Sequence, residues 1–451
     1  MAVVGGPERD VFIAWATARG IELRWPEGYV RDSNNFHRNP CIDFGRVVVR
    51  EPFSVVRPRT TPQLVDTVTM LREGRIPFHV RGAGHSSGGQ SLSDGGFVIH
   101  TQDLTGIVDD DPASEHITVL GGTWWLTVIE HLQRQGRRPI VLTGNPRVSV
   151  AGTLAVGGFG DTTHLEGLAI RSVVALTLIT PDGARHVLRP GDELFAYVLG
   201  GQGQLGVIAD ATIRTMKRPL AAALRYVRWA TLEDFVRDAG VIAKHRLFTF
   251  VRARISWEKP GWVDGAVGNF ASELGASDHV ALLRASHISP PTMRDLLADL
   301  RREPEGKEWQ LPTPAMEVAL PLPDGLRMWS RLRERIIASG LVPYLSRGTS
   351  VMVVPPEPDL PLAPLAPRAL SLLVALRPEV PAAHLHEVLP TLRAFGDAAL
   401  ALGGRIHLIS QDLECDRFPE RQFGEPIARR FRALKAELDP DHRCNPGLLL
   451  R

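Results

Sequence analysis

At 451 residues the chain is too long for one simple core, and two or three domains are expected. Its 44% hydrophobic and 23% charged residues are globular in balance, and a net charge of +2 argues against nucleic acid or an anionic membrane as main partner. No apolar run is long enough for a bilayer span, and MAVVGGPERDVFIAWATARG lacks the pattern of a signal peptide, so a cytoplasmic protein is expected.

Forty-two glycines and thirty-five prolines point to many turns and close backbone approaches. The three cysteines, Cys41, Cys415 and Cys444, have no metal-like spacing and read as reduced thiols.

In chain order, PFSVV and PFHVRG read as strands around the helix TPQLVDTVTMLREG, with Thr61 as N-cap and Gly74 as stop. This βαβ unit runs straight into VRGAGHSSGGQS (Val80 to Ser91), where four glycines surround His85. Short strands joined by Asp- and Gly-rich turns follow, then the amphipathic helix TWWLTVIEHLQRQG. Its Trp124 and Trp125 read as core packing. A second glycine run, VSVAGTLAVGGFG, precedes a strand with a Pro-Asp-Gly hairpin turn at 181–183. A third, LGGQGQLGVIADATIRT, closes the segment near Thr215.

Beyond Lys217 the texture changes. Amphipathic pieces (TLEDFVRDAGVIAKHRL, SPPTMRDLLADLRREPEG, DGLRMWSRLRERIIASG) alternate with the β-like runs TFVRARISW, AMEVALPL, TSVMVVPP and ALSLLVALRP, which suggests an α+β module. From about Leu389 a helix leads to ERQFGEPIARRFRALKAELDPDHRCNPG.

Three glycine-rich turns beside strands suggest one long polar ligand held by backbone amides, which can form an anion-binding concavity. None is a Walker sequence or a Rossmann GxGxxG. Together they resemble the FAD enzymes of the vanillyl-alcohol oxidase / p-cresol methylhydroxylase superfamily, near its cytokinin-dehydrogenase-like and berberine-bridge-like branches. VVRPRTTPQLVDTV resembles that family's first helix and VRGAGHSSGGQS its flavin-attachment loop. VSVAGTLAVGGFG, LGGQGQLGVI and AELDPDHRCNPG resemble its later cofactor contacts.

The resemblance implies an α+β, two-domain FAD-binding fold with a sheet-based substrate cap. The FAD domain would comprise 1–215 and 395–451, and the cap 216–394. It implies covalent FAD on His85, with Gly82, Ala83, Gly84, Ser86 and Gln90 along the pyrophosphate and flavin edge. Ser149 and Ala155 would contact phosphate and ring, and Val207 and Ile208 the adenosine part. His407 falls where cytokinin dehydrogenases place a tyrosine at the flavin, and Asn445 is a further cofactor candidate. Asn145 stands where members with two covalent links carry a cysteine, so a second bond is not expected.

The family's catalytic aspartate falls at Gly144 or Asn145, neither of which is a base. Glu317, in AMEVALP, and His407 are the catalytic candidates. Arg252 and Arg254 share a strand face and could meet a substrate carboxylate, although water-facing edge arginines are the commoner outcome. His164 is a candidate for approaching the flavin. The implied activity is hydride removal from a C–H bond beside an amine or alcohol of a small or medium metabolite in specialised biosynthesis, with oxygen or another acceptor reoxidising the flavin. A sugar or aldonolactone oxidase, and a flavin-bound non-redox cyclase or scaffold, are the alternatives.

Overall fold

The computed structural model describes residues 7–25, 35–111, 113–217, 220–257, 262–270, 279–302, 311–345, 348–410 and 417–450. Cys415 lies outside them. The architecture is α+β, with three sheets among the described residues.

The first sheet is parallel across Ser54–Arg57, Phe97–His100 and Phe78–Arg81, with Glu22–Arg24 added antiparallel at one edge. The expected βαβ unit is present, but Phe97–His100 inserts between its two strands. Its helix, Thr61–Glu73, is capped one residue earlier than expected: the Thr60 hydroxyl accepts from Gln63 N at 3.3 Å, and Gln63 Oε1 accepts from Arg59 N at 2.9 Å. The first bond satisfies a donor that the first helical turn leaves open, and the second ties down the residue before the cap.

The second sheet is antiparallel, in the order Ile107–Asp109, His116–Leu120, Val207–Met216, Val173–Ile179, Arg185–Leu188. The last two strands are joined by the expected turn, in which Gly183 takes φ +84°. Trp125 is buried on the helix Trp125–Gln133 and donates its Nε1–H to Thr153 Oγ1 at 2.9 Å, as a core residue should.

The third sheet is the largest. Four of its neighbours are the runs read from the sequence, in the order Phe250–Ile255, Thr349–Val354, Ser371–Leu376, Met316–Pro321. Ala221–Trp229 and Val263–Phe270 extend it on one side. On the other, Arg405–Ile406 pairs with Val318 and Ala319. The helix Leu385–Ala401 runs across the division expected at 395, so the chain leaves this sheet only after residue 406. The run SPPTMRDLLADLRR divides into a strand, Thr292–Asp295, and a short helix, Leu296–Arg302.

Two apolar clusters hold these layers together. The smaller unites Phe12, Leu64, Val68, Phe78 and Phe97 with Ile179 and Val207 of the second sheet. The larger is continuous from Ile117 and Trp125 through Trp229 and Val318 to Phe395 and Phe431. Burial of a side chain of this size is worth about 1.5–3 kcal/mol. The second and third sheets are therefore one packed body. No described helix is long and apolar enough to cross a membrane.

Candidate cofactor and substrate site

The first glycine loop leaves the parallel strand Phe78–Arg81 at the edge of a cavity of about 460 Å³. Its carbonyls are turned into the protein. Gly82 O accepts from His100 Nε2 at 3.0 Å and Ala83 O from His37 Nδ1 at 2.9 Å. Gly84 O accepts from Phe44 N at 2.9 Å and Ser86 O from Gly45 N at 3.2 Å. No backbone N–H from Ala83 to Ser86 donates to a partner among the described residues. Buried N–H groups such as those of Ala83 and Gly84 are rarely left without partners, and a row of free N–H groups can receive an anionic ligand.

Close packing explains the glycines. A Cβ on Gly82 would lie 2.1 Å from Ser149 Oγ, and one on Gly84, at φ +75°, would lie 2.3 Å from Arg81 Nη2. Arg81 is fully buried and ties the loop to the carbonyls of Phe36, Asn39 and Ile42. Asp43, also fully buried, accepts from Ser86 Oγ at 3.0 Å and Gly89 N at 2.7 Å. Burial pushes its carboxyl up to about 6, although these hydrogen bonds and the charge of Arg81 act against the rise.

A narrower groove of about 80 Å³ adjoins this cavity, sharing Val80, Gly82, Gly152, Ala155 and Gln202 with it. It is lined by the third glycine run up to Val207 and Ile208, and none of its lining residues is charged. Long, glycine-walled and narrow at one end, the combined space fits a dinucleotide whose tail is held by main-chain groups. Gly82, Ala83, Gly84, His85, Ser86, Gln90, Ser149, Ala155 and His407 all line the wide part. Ser149 also caps the helix Val150–Val156, accepting from Gly152 N at 3.3 Å.

Asn445 lies elsewhere. Its Oδ1 accepts from Val80 N at 2.8 Å and its Nδ2 donates to Gly203 O at 2.8 Å, so both side-chain atoms bracket protein loops and neither lines the groove. His164 is set against Phe248 O at 2.9 Å and lines no described cavity.

His85 opens onto the wide cavity from among Phe36, His37 and Phe44, with Phe44 stacked at 5.2 Å between ring centres. Burial, with the charges of His37, Arg377 and Arg81, holds its imidazole well below the ordinary histidine range, so it is neutral. Asn145 fixes its tautomer. Because Asn145 Oδ1 accepts from Arg147 N at 2.8 Å, its Nδ2 faces His85 Nε2 at 3.2 Å and donates to it. Nδ1 of His85 therefore carries the proton.

Across the cavity, Glu317 faces the site side of its strand, while Met316 packs against Gly396 of the helix behind. Glu317 has no exposed surface. One carboxylate oxygen accepts from Arg377, whose Nε lies at 2.7 Å, and the other faces His407 Nδ1 at 2.7 Å. Burial alone would raise this carboxyl, but the charge of Arg377 and the hydrogen bond from His407 outweigh it and hold it at about 2. A carboxylate that acidic is a poor proton acceptor, which corrects the reading of Glu317 as the base. Nε2 of His407 is buried with no hydrogen-bond partner among the described residues, on a residue that lines the cavity. Sequence reasoning missed Arg377 because it reaches Glu317 only through the pairing of two distant strands.

Of the strand pair, Arg252 is held by both oxygens of Asp161, at 2.6 and 3.1 Å, and Arg254 is exposed. Both line the cavity. Cys41 and Cys444 are buried free thiols, and burial pushes the Cys444 thiol up to about 12.

Residues 52–189 match the FAD binding domain family. An uncharacterized oxidoreductase, ORF5 of the fasciation locus of Rhodococcoides fascians, is 33% identical over 221 residues, covering 49% of this chain and 50% of that protein. Cytokinin dehydrogenase 7 of Oryza sativa subsp. japonica is 36% identical over 227 residues, 48% of this chain and 43% of that protein. In these two comparisons the chain spans half or less of the relative's length. Cytokinin dehydrogenase 8 of Oryza sativa subsp. indica is 26% identical over 90% of this chain and 89% of its own. These matches and the glycine-walled groove support an FAD-binding oxidoreductase of the PCMH type, most similar among these relatives to the cytokinin dehydrogenases.

Proposed function

We propose that the protein is an FAD-dependent oxidoreductase that removes a hydride from a C–H bond next to an amine or alcohol, with the flavin joined covalently to His85. The row of unpartnered N–H groups from Ala83 to Ser86, ending at a neutral histidine on the cavity wall, carries this reading. FAD, when bound, supplies the two-electron acceptor. Gly82 to Ser86 and Gln90 hold the pyrophosphate and flavin edge, Ser149 and Ala155 flank phosphate and ring, and Val207 and Ile208 line the adenosine end. Oxygen or another acceptor completes the cycle. Residues 216–394 form most of the cap over the substrate.

His407 takes the heteroatom proton at Nε2, and Glu317 positions it and stabilises the imidazolium that results. The matched relatives include named cytokinin dehydrogenases, but the position of their catalytic aspartate falls here at Gly144 or Asn145; Asn145 is engaged with His85 and neither residue offers a carboxylate. A different small or medium metabolite, in specialised biosynthesis, is the preferred substrate class.

Acid precipitation tests the tether. Yellow colour should stay in the pellet of the native protein and pass to the supernatant for His85→Ala. Colour released from both removes the covalent bond, and a protein that never takes up FAD removes the whole reading.

A further inference from the structure

We propose that the substrate is a neutral molecule with a second hydrogen-bonding group, a hydroxyl or carbonyl, that is seated on the Ser350 hydroxyl while the amine or alcohol to be oxidised meets His407. This rests on the flavin lying along the glycine walls of the cavity, which leaves the facing sheet to the substrate.

Strand register places these groups in line. Glu317 pairs with Ala375, and Ala375 with Ser350, so the three form one row across the large sheet. Residues directly opposite in a ladder project from the same face, and Glu317 turns its side chain to the site side. Ala375 and Ser350 both line the cavity together with His407. Burial along Thr349–Val354 agrees: Thr349, Val351 and Val353 are buried, whereas Ser350 is exposed and Met352 half-buried. That alternation marks a strand with one packed face and one open face.

The row changes character along its length. At one end stands the Glu317–His407 pair, with the Phe159 ring centred 4.9 Å from that of His407. Ala375 comes next and offers only a methyl group, so the wall is recessed between the pair and Ser350. Met352 and Leu373, paired in the adjacent row, border the recess with apolar surface. The Ser350 hydroxyl has no hydrogen-bond partner among the described residues, and it can both donate and accept. The carboxylates beside it are matched within the protein, Glu317 to Arg377 and Asp161 to Arg252, so the open polar group on this wall is an uncharged one. Glu317 and Ser350 stand two strand spacings apart, about 10 Å. A hydrogen bond takes up about 3 Å at either end, which leaves a span on the order of a substituted six-membered ring.

The test is calorimetric titration of the yellow holoprotein with 4-acetylbenzamide and 4-isopropylbenzamide. The two probes share one shape, and only the first carries a carbonyl at its far end. Neither has a C–H bond beside its nitrogen, so the flavin does not consume them. The acetyl compound should bind at least threefold more tightly, as one added hydrogen bond allows. Ser350→Ala should bring the two affinities together, and Ser350→Thr, which keeps the hydroxyl, should restore the preference. Equal affinities in the native protein, no binding of either probe, or a preference that survives in Ser350→Ala would each overturn the proposal. Should the variants fail to fold, the preference of the native protein decides alone. A yellow protein that binds the two probes alike keeps the flavin reading and loses this one; a protein that takes up no FAD loses both.

Discussion

His407 Nδ1 lies 2.7 Å from Glu317 Oε2, and the main-chain N–H of His407 donates to the Glu317 carbonyl at 2.8 Å, so one residue holds both the ring and the backbone of the other. Arg377 completes the set by neutralising the carboxylate from the opposite side. A ring fixed in this way is oriented before any ligand arrives.

Replacing Glu317 by Gln should expose the pH dependence of this pair. Its folded carboxyl sits at about 2, below the ordinary value of 4.5, so its contribution is full above pH 4.5 and is lost as pH falls towards 2. The stability gap between native protein and Glu317→Gln should therefore shrink by roughly 2–3 kcal/mol from pH 5 to pH 2.5 in urea titrations. A constant gap would show that the carboxylate is not held down. With any substrate found by anaerobic flavin bleaching, His407→Asn should lower kcat tenfold or more while KM stays within about threefold.

Asp43 should behave in the opposite sense. Its folded carboxyl is raised to about 6, so it favours the folded state below pH 4 and loses that advantage as pH rises through 6. The advantage of native protein over Asp43→Asn should fall by roughly 2–3 kcal/mol between pH 4 and pH 7. The same titrations measure it, and a flat difference would place the proton elsewhere.

Gly82→Ala should fold poorly or fail to retain FAD, because its new methyl would occupy the place of Ser149 Oγ. Ser149→Ala is the control. It loses the cap of Val150–Val156 at a cost of about 1 kcal/mol but opens the loop to no clash. Visible absorbance of the purified variants separates the two, and a Gly82→Ala protein with full flavin content would refute the close fit.

Asn445→Ala should act on stability alone. It leaves the Val80 N–H without its partner, while the Gly203 C=O keeps the Gly206 N–H at 3.3 Å, so the cost is about 1–3 kcal/mol. Chemical denaturation measures that loss. If flavin affinity falls while stability is unchanged, Asn445 touches the cofactor after all.

What the sequence revealed was chiefly local. Glycine spacing around His85, the Pro-Asp-Gly turn and the four apolar cap runs each carry their signal within a dozen residues. Ala221–Trp229 and Val263–Phe270 escaped notice because AAALRYVRW and VDGAVGNF lack clean alternation: their glycines, alanines and arginines gain a place only by pairing with each other. The site was legible on its cofactor side and obscure on its substrate side. Arg377 meets Glu317 across 60 residues, and Asn145 meets His85 across another 60. Lys435, buried among Asp439, Gln204 O and Cys444 O, likewise gave no sign in a helix rich in exposed charges.

The segment from Arg405 to Ser410 is stitched to both halves of the molecule. Its first two residues close the large sheet, while Ile409 O accepts from Ser87 N, Ser410 O from Gln90, and Leu408 O from Gln202. This short stretch therefore fastens the loops on the glycine-rich side to the large sheet, so that a displacement of either is felt by the other.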